Sequence, residues 1–281
     1  MDHSAIAEGN VAVITGGASG IGLAVGRALS RKGMRVCLVD LNQLAVENAS
    51  GTLHGESFGA VADVSDADSL SAVRDAVVAR FGRVDVLMNN AGTGGGGPTC
   101  FSGADEWKRI LGVNLWGVLN GTHVFGPLML SQRSPGAIIN TGSKQGLTNP
   151  PGNPAYNASK AALRTVTESL AHELRAIEGC EISAHFLVPG FTYTGMIARS
   201  IPMRPAGAWT PEQVAERLLA KLAAGDFYII CPDNEVTEAL DHARMQWNLN
   251  DVVHNRPALS RWHSDFEAEF RAFVAREADP A

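Results

Sequence analysis

Residues 10–40 read NVAVITGGASGIGLAVGRALSRKGMRVCLVD, and this stretch indicates the fold. Residues 10–15 form a short β-branched apolar run, and a glycine-rich turn follows over residues 16–22. Residues 23–32 then have helical character, and a second apolar run covers residues 34–39. A strand, a glycine turn, a helix and a second strand in this order predict the first unit of a parallel sheet.

The glycine turn is a candidate site for a pyrophosphate. A helix N-terminus presents free backbone N–H groups and a positive dipole end, and glycines let the backbone approach phosphates closely. The spacing Gly16-x-x-x-Gly20-x-Gly22 differs from the commonest dinucleotide fingerprint, G-x-G-x-x-G. A purely structural turn is the alternative interpretation.

Asp40 ends the second predicted strand and bears on the choice of cofactor. A carboxylate at this position accepts hydrogen bonds from the adenosine ribose and repels the 2′-phosphate of NADP. Leu41 follows, where an arginine would favour NADP. We therefore expect NAD; the alternative is that Asp40 only caps a helix beginning near Asn42.

Apolar runs and helical stretches alternate from there to Cys231. This pattern predicts an α/β fold with a doubly wound, Rossmann-like parallel sheet in a single domain over residues 1–232. Further strands are expected at 58–62, 84–88, 137–140, 181–188 and 227–231, and helices at 42–54, 66–81, 104–129 and 156–178, with another from Thr210.

Residues 233–281 are expected to form a helical extension with two apolar stripes. Amphipathic helices must bury such faces, either on their own subunit or on a neighbouring one, where they would cover its active site or tighten a homo-oligomer. Three histidines at irregular intervals are expected on the surface. The stripes are Val236, Leu240, Ala243, Trp247 and Trp262, Phe266, Phe270, Phe273; the histidines are His242, His254 and His263.

Composition narrows the class of protein. The chain has 281 residues, 45% of them hydrophobic, which favours one large globular domain. A net charge of −6 argues against nucleic acid or an anionic membrane as the main partner. No apolar run approaches the roughly 20 residues that span a bilayer, and the N-terminus lacks a signal-peptide pattern, so we expect a cytoplasmic protein. The scattered cysteines predict small buried residues rather than a metal site or disulfide framework: Cys37, Cys100, Cys180 and Cys231.

The segment from Asn140 to Lys160, NTGSKQGLTNPPGNPAYNASK, predicts the chemistry. Tyr156 and Lys160 are four positions apart, so on a helix the phenol and the ammonium share one face. A nearby cation favours the ionised phenol, so Lys160 is expected to lower the pKa of Tyr156 from about 10. Ser143 would hydrogen-bond the oxygen of a carbonyl or alcohol. Proton transfer at that oxygen is the predicted reaction step.

Other segments converge on the same place. Ser143 follows a predicted strand, and open α/β sheets bind ligands at the carboxyl ends of their strands. The glycine-rich stretch from Thr93 to Gly97 is suited to lie against a cofactor. Asn114 interrupts an apolar helical stretch, LGVNLWGVLNG, so we expect it to have a specific polar partner.

From Val11 to Cys231 the sequence resembles the short-chain dehydrogenase/reductase family. Its motifs occur in the family's order, and their joint appearance is specific. They are Thr15-Gly16-x-x-x-Gly20-Ile21-Gly22, Asp40, Asp63-Val64, Asn89-Asn90-Ala91-Gly92, Asn114, Ser143, Tyr156-x-x-x-Lys160 and Pro189-Gly190-x-Thr192-x-Thr194.

The resemblance implies a role for each catalytic residue. Tyr156 would be the general acid/base, and Lys160 would lower its pKa and hold the nicotinamide ribose. Ser143 would orient the substrate oxygen, and Asn114 would hold a water that links Lys160 to solvent. Residues expected against NAD are Gly16, Ser19, Gly20, Ile21, Gly22, Asp40, Leu41, Asp63, Val64, Asn90, Ala91, Gly92, Tyr156, Lys160, Pro189, Thr192 and Thr194.

Two departures from the family's pattern concern the substrate end. Lys144 and Gln145 follow Ser143 where a second hydroxyl residue is frequent. Lys144 is expected to be a surface charge, or else to reach a polar substrate group or phosphate. Thr192 stands where an aliphatic residue is usual, which should matter little because that contact uses the backbone.

The segment from Thr194 to Trp209 is expected to form a compact apolar lid with Met196, Ile197, Ile201 and Met203. The candidate substrate contacts are Gln145, Phe191 and Met196, and they favour an apolar or aromatic substrate. The alternative is that the lid residues only pack on the domain.

We therefore predict an NAD-dependent oxidoreductase that interconverts a secondary alcohol and a ketone, and that forms a homodimer or homotetramer. One rival function is an NADPH-dependent 3-oxoacyl thioester reductase, which Asp40 disfavours. The other is a catalytically silent NAD-binding regulator, which the intact catalytic set disfavours.

Overall fold

A seven-stranded parallel sheet forms the centre of the molecule, in the order β3-β2-β1-β4-β5-β6-β7. The structure is a computed structural model and describes residues 2–94, 99–198 and 201–278. The predicted doubly wound α/β fold is confirmed. The strands are β1 (Val11–Thr15), β2 (Arg35–Asp40), β3 (Ser57–Val61), β4 (Val86–Asn89), β5 (Gly136–Thr141), β6 (Ile182–Val188) and β7 (Tyr228–Ile230).

Helices cover both faces of this sheet. Alternate residues of β1 point to opposite sides: Ala12 and Ile14 pack into one apolar cluster, and Val11 and Val13 pack into another. The helices are α1 (Gly20–Arg31), α2 (Gln43–Ser50), α3 (Ala67–Phe81), α4 (Ala104–Leu111), α5 (Gly117–Gln132), α6 (Gln145–Thr148), α7 (Pro154–Ala176), α8 (Gly195–Ala198), α9 (Pro211–Ala223), α10 (Glu238–Val253) and α11 (Glu267–Ala278).

Two helix predictions were wrong in detail. The helix predicted over 104–129 is divided by a π-helical turn, Gly112–Trp116, which connects α4 to α5. Asn114 lies in that turn, and its side chain makes hydrogen bonds outside the helix. Helix α2 ends at Ser50 rather than at residue 54, because the chain turns at Gly51 and Leu53 packs against the core.

The two helices of the extension, α10 and α11, pack against each other. Trp247 of α10 is fully buried, and the rings of Phe270 and Phe273 lie 5.4 and 5.3 Å from its ring. The second predicted stripe was wrong in part: Trp262 and Phe266 lie in 3-10 turns before α11 begins. A turn there lets the chain reverse so that α11 packs against α10.

The structure also places the cysteines and the histidines of the extension. Cys37 and Cys231 are buried as expected and Cys180 is partly buried, but Cys100 is exposed because it lies in a surface turn. The three histidines of the extension are exposed. Within the described residues, no set of three His, Cys, Asp or Glu side chains is placed to hold a metal ion. No described helix is both long enough and apolar enough to cross a membrane.

Candidate active site

A cavity of about 900 Å³ opens at the carboxyl ends of the strands. It runs from the glycine turn and Asp40 at one end to Ser143, Tyr156 and Lys160 at the other. The residues predicted against NAD that line it are Gly16, Ser19, Gly20, Ile21, Asp40, Leu41, Asp63, Val64, Asn90, Ala91, Gly92, Tyr156, Lys160, Pro189, Thr192 and Thr194.

The glycine turn is shaped for close approach of a ligand. Gly16 and Gly20 have φ of +63° and +54°, a left-handed conformation that favours glycine. Helix α1 begins at Gly20, and the side chain of Ser19 makes no capping hydrogen bond to it. The backbone N–H groups at the start of this helix are therefore available to an anion. Gly22 was predicted to contact the cofactor but lies behind the turn. A Cβ there would be 2.5 Å from the Gly16 carbonyl oxygen, so close packing requires glycine.

Asp40 faces the glycine turn. One carboxylate oxygen accepts from Ala18 N at 3.2 Å, and the other accepts from Asn42 N at 3.4 Å. The cap of α2 is Asn42 itself, whose side chain accepts from Ala45 N at 3.0 Å. The capping alternative for Asp40 is therefore wrong. Leu41, which is 68% exposed, places an uncharged side chain next to Asp40 on the cavity wall.

Asn90 fixes the shape of the turn from beneath. Its amide nitrogen donates to the carbonyl oxygens of Thr15 and Gly16, at 3.0 and 3.3 Å. The Thr15 hydroxyl accepts from the backbone N–H groups of Asn90 and Ala91, at 2.9 and 3.0 Å. These hydrogen bonds join the end of β1 to the end of β4 at the wall of the cavity. The side chain of Asn90 therefore positions the turn.

Tyr156 and Lys160 both lie on α7, as their spacing predicted, and both line the cavity. The Lys160 ammonium is buried, donates to the Thr141 carbonyl oxygen at 2.7 Å, and lies 5.8 Å from the centre of the Tyr156 ring. Burial lowers the pKa of Lys160 to about 8. Its proton is therefore held at neutral pH but is less firmly bound than in an exposed lysine.

The pKa of Tyr156 differs from the prediction. Burial raises it above its usual value, and a hydrogen bond with Ser143 acts in the opposite direction. The expected lowering by Lys160 does not prevail because desolvation disfavours the phenolate. The free protein thus holds Tyr156 as a neutral phenol, which is a proton donor.

Asn114 does not line the cavity. Its side chain is fully buried: the amide oxygen accepts from Thr93 N at 2.7 Å, and the amide nitrogen donates to Thr93 O at 2.9 Å and to Ser159 Oγ at 3.1 Å. Ser159 in turn donates to the Tyr156 carbonyl oxygen at 2.7 Å. The side chain therefore joins the π-helical turn to the helix that carries Tyr156, and the water-holding role stays a prediction.

At the substrate end, Gln145, Phe191 and Met196 line the cavity, together with Ile197. The lid prediction was wrong for the rest of its residues. Ile201 and Met203 are exposed and do not line the cavity, and Trp209 packs against the core. Backbone hydrogen bonds hold Trp209 beside the chain from Phe191 to Tyr193. Gly95–Gly97 and residues 199–200 lie outside the described residues.

Sequence reasoning missed one charged residue of the cavity wall and misplaced another. Arg109 lines it and donates to the Thr93 hydroxyl at 2.6 Å, with its charge paired to Glu106. Lys144, expected on the surface or on a substrate group, is instead largely buried between Asp233 and Asp241. Those partners lie in the extension, far along the chain, so no local signal could have found them.

The residues present fit a dinucleotide. The cavity's volume is within the roughly 300–1,000 Å³ of ligand sites. A Cβ on Gly20 would lie 3.2 Å from Thr194 Cγ2, so glycine keeps open the space between the turn and the opposite wall. A helix end suited to a phosphate, a carboxylate suited to a ribose and the hydroxyl groups of Ser143 and Tyr156 all line this one cavity.

Comparison with known proteins agrees with this geometry. The short chain dehydrogenase family profile matches residues 10–204. A 3-oxoacyl-[acyl-carrier-protein] reductase of Thermotoga maritima is 34% identical over 224 residues, 78% of this chain and 85% of that protein. A 2-(S)-hydroxypropyl-CoM dehydrogenase of Xanthobacter autotrophicus is 34% identical over 226 residues, 78% of this chain and 84% of that protein.

Among solved structures, a short chain dehydrogenase/reductase of Burkholderia phymatum in complex with NAD matches with a TM-score of 0.80. It is 33% identical, and the match covers 89% of this chain and 96% of that one. The match in sequence and the match in fold both cover most of the chain. The chain therefore belongs to the short-chain dehydrogenase/reductase family of oxidoreductases.

Proposed function

We propose that the protein is an NAD-dependent dehydrogenase or carbonyl reductase that interconverts a secondary alcohol and a ketone of mainly apolar character. One observation carries the proposal: a single cavity joins Asp40 to Ser143 and Tyr156. A cofactor bound along it would have its adenosine ribose beside a carboxylate and its reactive end beside an acid/base residue. The NAD complex of the Burkholderia phymatum relative supports the same choice.

The proposed mechanism uses the chain's residues for binding and proton transfer. When bound, the nicotinamide supplies hydride transfer. In reduction, Tyr156 Oη donates its proton to the carbonyl oxygen of the substrate, and in oxidation it accepts the proton of the alcohol. Ser143 Oγ donates a hydrogen bond to the same oxygen and so orients the substrate.

Lys160 makes this proton transfer easier. With a pKa of about 8 it is positively charged at neutral pH, and the Thr141 carbonyl holds it in place. A cation in this buried position stabilises the phenolate that forms when Tyr156 gives up its proton. The raised pKa of the resting phenol and the buried ammonium are therefore complementary parts of one acid/base device.

The preference for an apolar substrate rests on the apolar part of the cavity wall. Phe191, Met196 and Ile197 contribute apolar surface to it, and Gln145 is one of several polar side chains that line the cavity. The Thermotoga maritima relative, named as a 3-oxoacyl reductase, favours the rival thioester substrate. The Asp40 carboxylate opposes the NADPH that this rival would use.

A panel of apolar and aromatic secondary alcohols, ketones and 3-oxoacyl thioesters, assayed with NAD(H) and NADP(H), tests the proposal. We expect the highest kcat/KM with NAD(H) and a secondary alcohol or its ketone. A preference for NADPH and 3-oxoacyl thioesters would establish the rival reductase. Tight NADH binding without turnover of any panel member would establish the silent regulator.

We also propose that the chain forms a homodimer or homotetramer. Helices α5 and α7 present an apolar surface groove lined by Pro127, Leu130, Leu170 and Leu174, which a second copy would cover. Light scattering coupled to size-exclusion chromatography should give a mass of two or four chains. A monomer at micromolar concentration would contradict this.

A further inference from the structure

Lys144 immediately follows Ser143, and its ammonium lies between two carboxylates of the extension. Its Nζ is 2.5 Å from Asp241 Oδ2 and 3.5 Å from Asp233 Oδ2. All three side chains are largely withdrawn from solvent, with exposures of 18%, 6% and 8% for Lys144, Asp241 and Asp233. A buried ion pair is costly to disrupt from one side, because the remaining charge loses its partner.

Asp233 also holds the turn that follows β6. Its Oδ2 accepts from Phe191 N at 3.4 Å, while its Oδ1 accepts from the backbone N–H groups of Glu235 and Val236. The Lys144 side chain crosses this turn closely, since a Cβ on Gly190 would lie 2.8 Å from Lys144 Nζ. One carboxylate therefore connects the extension to both walls of the substrate end.

Helix α10 holds the other end of the segment after Ser143 as well. Asn248 donates its amide to the Leu147 carbonyl oxygen at 3.2 Å. Between these two attachments, Gln145 N donates to Ser143 Oγ at 3.2 Å and Gly146 N donates to the Ser143 carbonyl at 3.0 Å. The geometry of Ser143 thus depends on a segment that α10 fixes at Lys144 and at Leu147.

We propose that Lys144, held by Asp233 and Asp241, is a positioning residue that sets Ser143 relative to the Pro189–Phe191 turn, so that the extension serves catalysis without touching substrate. This inference rests on the proposed function. An anion-binding role for Lys144 is disfavoured because two carboxylates already neutralise its charge. The ion pair of Lys144 instead helps to hold Ser143 in the position on which the rate depends.

Two matched variants on the first turn of α10 test it: Asp241→Asn and Glu238→Gln. Each replaces one carboxylate by an amide of equal size. Glu238 pairs with Arg217 of α9, at 2.6 Å, whereas Asp241 pairs with Lys144. We expect Asp241→Asn to lower kcat roughly 10-fold to 100-fold, with a smaller change in KM, as expected for misplaced catalytic groups. Glu238→Gln should keep wild-type kcat.

Amide hydrogen exchange gives a readout that does not need turnover. Exchange over residues 142–149 and 189–193 should become faster in Asp241→Asn and stay unchanged in Glu238→Gln. Lys144→Arg, which retains the ion pair, should restore most of the kcat that Lys144→Met loses. The double variant Lys144→Met, Asp241→Asn should be no slower than Lys144→Met alone.

Three results would overturn the inference in an enzyme that is otherwise active. The first result is that Asp241→Asn and Glu238→Gln have the same kcat. The second is that Asp241→Asn exchanges its amide hydrogens faster but loses no kcat. A third is a rise in KM confined to anionic substrates in Lys144→Met, which would make Lys144 a substrate-binding residue. A wild-type protein without turnover on the whole panel would instead reject the proposed function, and the inference with it.

Discussion

Replacing Lys160 with methionine should stabilise the ligand-free protein while abolishing its turnover. Burial lowers the pKa of this lysine from 10.5 to about 8. At about 1.4 kcal/mol per pKa unit, burying the charge costs the folded state about 3 kcal/mol. Methionine has a similar length and carries no charge, so it removes this cost with little repacking.

The substitution also has an unfavourable part. The Thr141 carbonyl loses the charged donor that now lies 2.7 Å away, which costs roughly 1–2 kcal/mol. The net stabilisation near pH 7 is then roughly 1–2 kcal/mol. For a chain of this size, such a gain raises Tm by roughly 2–6 °C.

The pH dependence identifies the cause. Below pH 8 the lysine is protonated in both the folded and the unfolded state, so the full cost of burial is present. Between pH 8 and 10.5 the unfolded state binds more protons than the folded state, so the stability of the wild type rises relative to the variant. The advantage of Lys160→Met should therefore shrink as pH increases through this window.

Thermal unfolding of the ligand-free wild type and Lys160→Met at pH 7, 8.5 and 9.5 would measure how their difference in stability changes with pH. Lys108→Met is the matched control, because the Lys108 side chain is 79% exposed and its charge is not buried on folding. A Lys160→Met variant that is less stable than the wild type at pH 7 would refute the reasoning. So would a difference in Tm that stays constant over the three pH values.

Three further predictions concern the phenol, the cofactor and the packing. Tyr156→Phe should lower kcat at least 10²-fold and leave NADH affinity, measured by fluorescence titration, nearly unchanged; near-normal turnover would reject the acid/base role. Asp40→Ser should raise the ratio of kcat/KM for NADP to that for NAD, and an unchanged ratio would show that Asp40 does not contact the ribose. Gly121→Ala should destabilise the fold by roughly 1–3 kcal/mol in urea unfolding, because its Cβ would lie 2.1 Å from Asn89 Oδ1. Gly112→Ala, in the π-helical turn before this helix, should be nearly neutral or stabilising, because its Cβ would lie 3.7 Å from Ser65 Cβ, an ordinary contact; equal losses in both variants would contradict the steric argument.

The fold could be predicted from the sequence because its signals are local. Short β-branched runs mark the strands, and residues 16–22 mark the first turn whatever the rest of the chain does. The ends of elements were less certain, since they depend on tertiary contacts: α2 stops at Ser50, where Leu53 turns into the core. The need of Asn114 for a partner was also visible in the sequence. The identity of that partner, the chain around Thr93 and Ser159, was not.

The energetics of the site could not be predicted in the same way. A spacing of four residues places Tyr156 and Lys160 on one face of a helix, but it says nothing about how deeply either group is buried. Burial decides both pKa shifts, and it raises that of Tyr156 where charge proximity alone would lower it. The environment of Lys144 was equally hidden in the sequence, because its partner Asp233 lies 89 residues further along the chain.

The residues that hold Tyr156 and Lys160 in place differ from the residues expected to contact the substrate. Lys160 is fixed by a backbone carbonyl of β5, and Tyr156 is fixed through its own carbonyl by Ser159 and Asn114. The hydrogen bonds of Ser159 and Asn114 join side chains that are buried and do not line the cavity, whereas Thr141 and Lys160 do line it. The apolar part of the wall, with Phe191 and Met196, shares none of these hydrogen bonds. We therefore expect changes in that wall to alter which substrate fits while Tyr156 and Lys160 keep their places. The relatives, which are named for different substrates, are consistent with such a division.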